Sequence, residues 1–196
     1  MGNIANPDKP NEYGFLFDLD TLLEEDKHIY YVWKNMEKRC YHKDSKQYNS
    51  YGGKRITVSD DFKLFSKFKK WYEANLYDSH NLEIDKDCLS TIKHLDNKIY
   101  SSDTCILIPN DWNTFLTSIN TGIYNTNYGT FCVRIRRNYL KINKNFKTYK
   151  EARIFKLNKD LEYIDILKDI SPIPNKYLEL IKNYINEVFK YDDRIS

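Results

Sequence analysis

Phe131-Cys132-Val133-Arg134-Ile135-Arg136 alternates apolar and polar side chains with a period of two, and this stretch restricts the fold more narrowly than any other. A period of two belongs to a strand with one face buried. Phe131, Val133 and Ile135 take the inner face, and Cys132, Arg134 and Arg136 the outer one. A register slip of one residue would bury two guanidiniums, at roughly several kcal/mol, so the choice of face is strongly fixed. Downstream, Thr148 and Glu151 have the spacing of a capping box and open a long helix carrying Ala152, Phe155, Leu161 and Ile164. Ser171-Pro172 ends it, and Pro174 stands near the first turn of a last helix with Leu178, Ile181, Ile185 and Val188 on one face. The spacing therefore predicts, over residues 122–167, a small antiparallel sheet packed on a helix.

Charge singles out the same region. From Trp112 to Lys150 there is no Asp or Glu, while Arg134, Arg136, Arg137, Lys141, Lys144, Lys147 and Lys150 are all cationic. Of a net +3 this stretch supplies +7, leaving −4 for the rest. A basic segment beside a mildly acidic one points to a localised polyanion-binding surface. The bland alternative is a solvated basic face. With Arg134 and Arg136 turned outward, and Lys141 and Lys144 on the next strand, guanidinium forks are placed to pair with guanine edges and ammonium groups to neutralise phosphates.

The N-terminal part reads differently. Residues 1–12 look like a flexible lead, and Tyr13 to Leu23 like a short edge element. Ile29, Val32, Trp33, Met36 and Cys40 mark one helical face, and residues 41–53 a loop. Ile56-Thr57-Val58 is a short strand, after which Ser59 caps a helix with Phe62, Phe65, Phe68, Tyr72 and Leu76. Leu82 to Asp85 is a second strand, followed by a polar connection. Apolar pieces at Lys98–Tyr100 and Cys105–Ile108 come next, then a helix with Asn110 at its N-cap and Trp112, Phe115, Leu116 and Ile119 buried. This is the order of a ββα unit. The stretch from Ile119 to Gly129 reads as a linker.

The strand Leu82–Asp85 runs into Asp85-Lys86-Asp87. Carboxylates at a strand end, with the amide of Asn113 on the following helix, are the oxygen donors that suit a hard divalent cation such as Mg²⁺. The competing reading is a strand end whose charges pair locally and face water. Cys40, Cys88, Cys105 and Cys132 are scattered without a C-x-x-C pair, so no zinc site is predicted. No apolar run approaches the roughly 20 residues of a membrane span, and no signal-peptide core opens the chain.

The stretch from Tyr30 to Phe62, with WYEANLY, LEIDKD, KIYSSDTCILIP and Asn113, resembles phage-encoded HNH-type proteins of the His-Me finger endonuclease class over roughly residues 28–119. The stretch GIY, TFCVRIRR and NKNFKTYKEARIFKLNKD resembles the plant ethylene-response-factor type of DNA-binding domain, in which three antiparallel strands pack on one helix and enter the major groove. Together the resemblances imply an α+β protein: a lead segment (1–26), a ββα domain with N-terminal helices (27–119), and a sheet-on-helix DNA reader with a C-terminal helix (120–196). They imply a metal-dependent DNA endonuclease in the cytoplasm of an infected bacterial host, with Mg²⁺ or another divalent cation on Asp85 and Asn113. Asp87 completes the acidic motif, and Lys86 stands where the family carries its catalytic His. His94 is the one imidazole in the same unit that would substitute for it. Duplex DNA would be held by Arg134, Arg136, Arg137, Lys141 and Lys144. The alternative is a degenerate relative that has lost turnover and binds a host defence protein or a nucleic acid.

Overall fold

The computed structural model describes residues 9–77 and 82–195. Its elements run α1 (Lys27–Tyr41), β1 (Thr57–Val58), α2 (Asp60–Lys63), α3 (Phe65–Asn75), β2 (Glu83–Asp85), α4 (Asp87–Ile92), β3 (Ile99–Tyr100), β4 (Ile106–Ile108), α5 (Asn110–Thr117), β5 (Ile123–Asn125), β6 (Phe131–Arg137), β7 (Leu140–Phe146), α6 (Tyr149–Ile170) and α7 (Asn175–Lys190). The class is α+β. The chain divides into two compact units, Met1–Leu107 and Ile108–Ser196, so α5 belongs with the second unit, and the boundary comes twelve residues before the one expected after residue 119.

The first unit is built around rings. Trp33 and Met36 of α1 meet Phe62, Phe65, Phe68 and Tyr72, all essentially removed from solvent, and each such side chain contributes about 1.5–3 kcal/mol by its burial. The sequence predicts one helix from Ser59 to Leu76, but the chain breaks at Leu64, which is extended (φ −89°, ψ 120°). Leu16 is the cause. Its N–H donates to the Lys63 carbonyl at 2.9 Å, and its carbonyl accepts from the Phe65 N–H at 3.0 Å. Phe15 and Phe17 on either side reach Trp33 and Phe65. Asn11, in the expected flexible lead, is tied down as well: it donates to Glu37 at 2.6 Å and accepts from the Tyr13 and Phe15 N–H groups at 3.0 Å. The rest of that lead lies outside the described residues.

The elements of the expected ββα unit follow one another in the chain as β2, β4 and α5, with α5 in the second unit. β2 pairs with β4, while β3 leaves to pair in parallel with β1. The polar connection after Asp87 is the helix α4.

In the second unit the sheet order is β5-β6-β7, antiparallel throughout. The turn Asn138-Tyr139, with Tyr139 left-handed at φ 63°, sets Arg134 opposite Asn143 and Arg136 opposite Lys141. The third strand, β5, lies inside the stretch expected to be a linker. Gly122 explains why β5 begins where it does. Its φ is +89°, and a Cβ there would stand 2.9 Å from the Arg134 carbonyl oxygen, a position only glycine occupies without strain. The inner face, Val133 and Ile135, packs on Ala152 of α6. Both bonds of the Thr148–Glu151 capping box form, at 3.2 and 3.1 Å. Trp112 of α5 donates to the Ser171 carbonyl at 2.6 Å, and Phe115 meets Tyr163 of α6.

Candidate nucleic-acid interface and the acidic strand end

The solvent side of the second unit's sheet is assembled in three rows. The strand register places Tyr124, Cys132 and Asn145 in the first, Arg134 and Asn143 in the second, and Arg136 and Lys141 in the third. Arg134, Arg136, Lys141, Asn143 and Asn145 are exposed, as is Tyr124. The Arg134 guanidinium lies over the Tyr124 ring at 5.6 Å, which holds the fork above the sheet. Cys132 is covered on this face, and its thiol donates to Asn143 Oδ1 at 3.0 Å. Among the described residues of β5, β6 and β7, no carboxylate belongs to this surface. A shallow concavity of about 480 Å³ runs from Arg134 and Asn143 to the β5–β6 turn at Tyr128.

Two residues expected on this surface are elsewhere. Arg137 alternates inward. Its Nη2 donates to Asp160 and to Ser118 Oγ, both at 2.8 Å, and its guanidinium sits 4.7 Å from the Phe115 ring and 5.0 Å from that of Tyr163. Lys144 pairs with Val133, so it shares the helix side of the sheet. Its ammonium lies over Phe155 and Phe146 at 4.8 and 5.4 Å. Both departures follow from parity: a residue an odd number of positions from Arg134 on its strand, or from Asn143 on the next, points to the opposite face. Tyr124 and Asn145 were missed from the sequence. The signal for Asn145 was its two-residue spacing from Asn143; Tyr124 was hidden because its strand read as a linker.

At the acidic strand end, Asp85, Lys86 and Asp87 are brought together by the tight junction between β2 and α4. Asp85 is 5% exposed, and Oδ1 accepts from the Cys88 N–H at 2.9 Å, which caps α4. Burial, then the neighbouring Asp87, pushes its carboxyl up to about 6. Lys86 is 4% exposed. Its ammonium donates to Asp87 Oδ2 at 3.0 Å and lies over the Tyr51 and Tyr100 rings at 4.7 and 5.3 Å. Arg39 faces the same two rings at 5.0 and 5.5 Å. Lys98 holds the other Asp87 oxygen at 2.5 Å. Burial raises the Asp87 carboxyl, but Lys86 and Lys98 more than offset this and it ends below the usual range.

This donor set does not fit a divalent cation. One Asp85 oxygen is spent on the Cys88 N–H, and each Asp87 oxygen is taken by an ammonium, Lys86 on one and Lys98 on the other. Among the described residues no group of three His, Cys, Asp or Glu converges. His94 is exposed in the turn after α4, left-handed at φ 52°, and Asn113 belongs to the second unit, on α5. The Lys86 ammonium is thus enclosed by the Tyr51 and Tyr100 rings and the Asp87 carboxylate.

No family model, curated protein or solved structure matches the chain. Among the described residues no helix is long and apolar enough to cross a membrane.

Proposed function

We propose that the protein is a sequence-reading binder of duplex DNA, and that the solvent face of β5-β6-β7 is the reading surface. The observation that carries this is the outward placement of Arg134 and Arg136 beside Lys141, Asn143, Asn145 and Tyr124 on a sheet surface without a carboxylate. A β-ribbon such as β6-β7 fits a major groove, where arginine forks pair with the O6 and N7 of guanine and carboxamides with the N6 and N7 of adenine. Arg134, held over Tyr124, and Asn143, its direct cross-strand neighbour, are the base-reading pair. Lys141 and Arg136, one row further along, contact phosphate. The resemblance to the ethylene-response-factor type supports the same use of the sheet.

The first unit is a scaffold of the HNH-like kind in this reading, with its acidic junction serving stability. Selection of bound duplexes from a randomised pool tests the reading surface. Wild type should enrich a short motif, and Arg134→Ala should flatten one position of it, a loss of about 1–3 kcal/mol of discrimination there. Enrichment of no motif by wild type would contradict base reading.

A further inference from the structure

Beside the reading surface, β6 has an open edge. β5 covers β6 only as far as Val133, and the last bond across is from the Arg134 N–H to the Gly122 carbonyl, at 2.8 Å. Backbone groups two residues apart on a strand point the same way, so the Arg136 N–H faces the side that β5 has vacated. At this edge lies a notch of about 310 Å³ lined by Ser118, Thr121, Gly122, Tyr124, Ile135 and the cations Arg134, Arg136, Arg137 and Lys156. Asp160 is completely buried. It pairs with Arg137 at 2.8 Å and with Lys156 at 2.6 Å, which leaves the lining with an excess of positive charge. Lys156 also donates to the Ile119 carbonyl at 3.0 Å. The Arg137 side chain is nine-tenths buried, and its Nη1 has no hydrogen-bond partner.

From this we infer that the notch is a phosphate seat, taking one phosphodiester of the duplex that the sheet reads. The inference rests on the DNA-binding reading above and adds to it a fixed anchor at the sheet's edge. Phosphate oxygens are matched by arginine forks and backbone N–H groups, and both line the notch, in the Arg136 side chain and in the Arg136 backbone. A contact held at the rim sets the angle and register at which Arg134 and Asn143 meet the bases.

Thr121 gives access to the notch without touching the reading surface. It is exposed, at the turn after α5, so Thr121→Glu and Thr121→Lys should both fold, as thermal melting would confirm. The measurement is fluorescence anisotropy on a labelled duplex over a salt series, repeated with single phosphates replaced by uncharged methylphosphonates. For wild type, one methylphosphonate position near the sheet's edge should weaken binding several-fold. Thr121→Glu should bind several-fold more weakly, lose sensitivity at that same position, and show a salt slope shallower by about one unit. Thr121→Lys should bind more tightly. If Thr121→Glu matches wild type in affinity and slope while Arg134→Ala still loses its sequence preference, the notch is not a phosphate seat and the reading surface stands. If wild type fails to bind the duplex, both fall together.

Discussion

An ammonium enclosed by two tyrosine rings and a carboxylate, as at Lys86, is kept for its position. Lys86→Met would leave Asp87 with Lys98 alone and remove the cation between the rings, and should lower stability by about 1–3 kcal/mol in urea denaturation. Lys86→His should be less stable than wild type too, and should no more nick supercoiled plasmid in Mg²⁺ or Mn²⁺ than wild type does. Nicking by either would overturn the structural account of this junction. Asp85 carries a pH signature. Its carboxyl is raised by burial to about 6 from an ordinary 3.8, so its contribution to stability is fully present below that ordinary value and is lost as pH rises through about 6. Asp85→Asn keeps an oxygen for the Cys88 N–H and removes the charge. It should be more stable than wild type at neutral pH by about 1–3 kcal/mol, and the advantage should vanish in acid below the ordinary carboxylate range. A metal-ligating aspartate would behave in the opposite way on addition of Mg²⁺, with the wild type gaining stability and the variant not.

Among elements, β5 depends on a single backbone position. Gly122→Ala would force a side chain onto a left-handed residue 2.9 Å from the Arg134 carbonyl and should cost about 1–3 kcal/mol in chemical denaturation. An unchanged midpoint would show that β5 is not held as described. This strand also marks how far local pattern carries. β6 was legible because its alternation is strict, and α6 because Thr148 and Glu151 are a complete cap. β5 was not, since Ile123-Tyr124-Asn125 is too short to show a period and its neighbours are Gly, Asn and Thr. The break at Leu64 was illegible for another reason: the competing hydrogen bonds come from Leu16, distant in sequence. The inward turn of Arg137 was available from parity alone, one residue beyond the alternating run. The identity of the acidic junction was not, because whether Asp85-Lys86-Asp87 waits for a cation or is already paired depends on Lys98, Tyr51 and Tyr100, which only the fold brings to it.

At the scale of the whole molecule, five of the seven cations in the carboxylate-free stretch between Trp112 and Lys150 belong to β6 and β7 and are divided by the fold into two uses. Arg137 turns inward to Asp160 at the edge notch and Lys144 lies on the helix side of the sheet, while Arg134, Arg136 and Lys141 share its outer face. The most direct test of the central claim is fluorescence anisotropy on duplex DNA across a salt series, comparing wild type with the Arg134→Ala and Arg136→Ala double variant, with Lys141→Ala and Lys144→Ala alongside. The account predicts that the double variant folds like wild type but binds at least about tenfold more weakly. Lys141→Ala should make the salt slope shallower by about one unit, and Lys144→Ala should leave it unchanged. Equal affinity of wild type and the double variant would contradict the account and make a protein partner the better explanation of this surface.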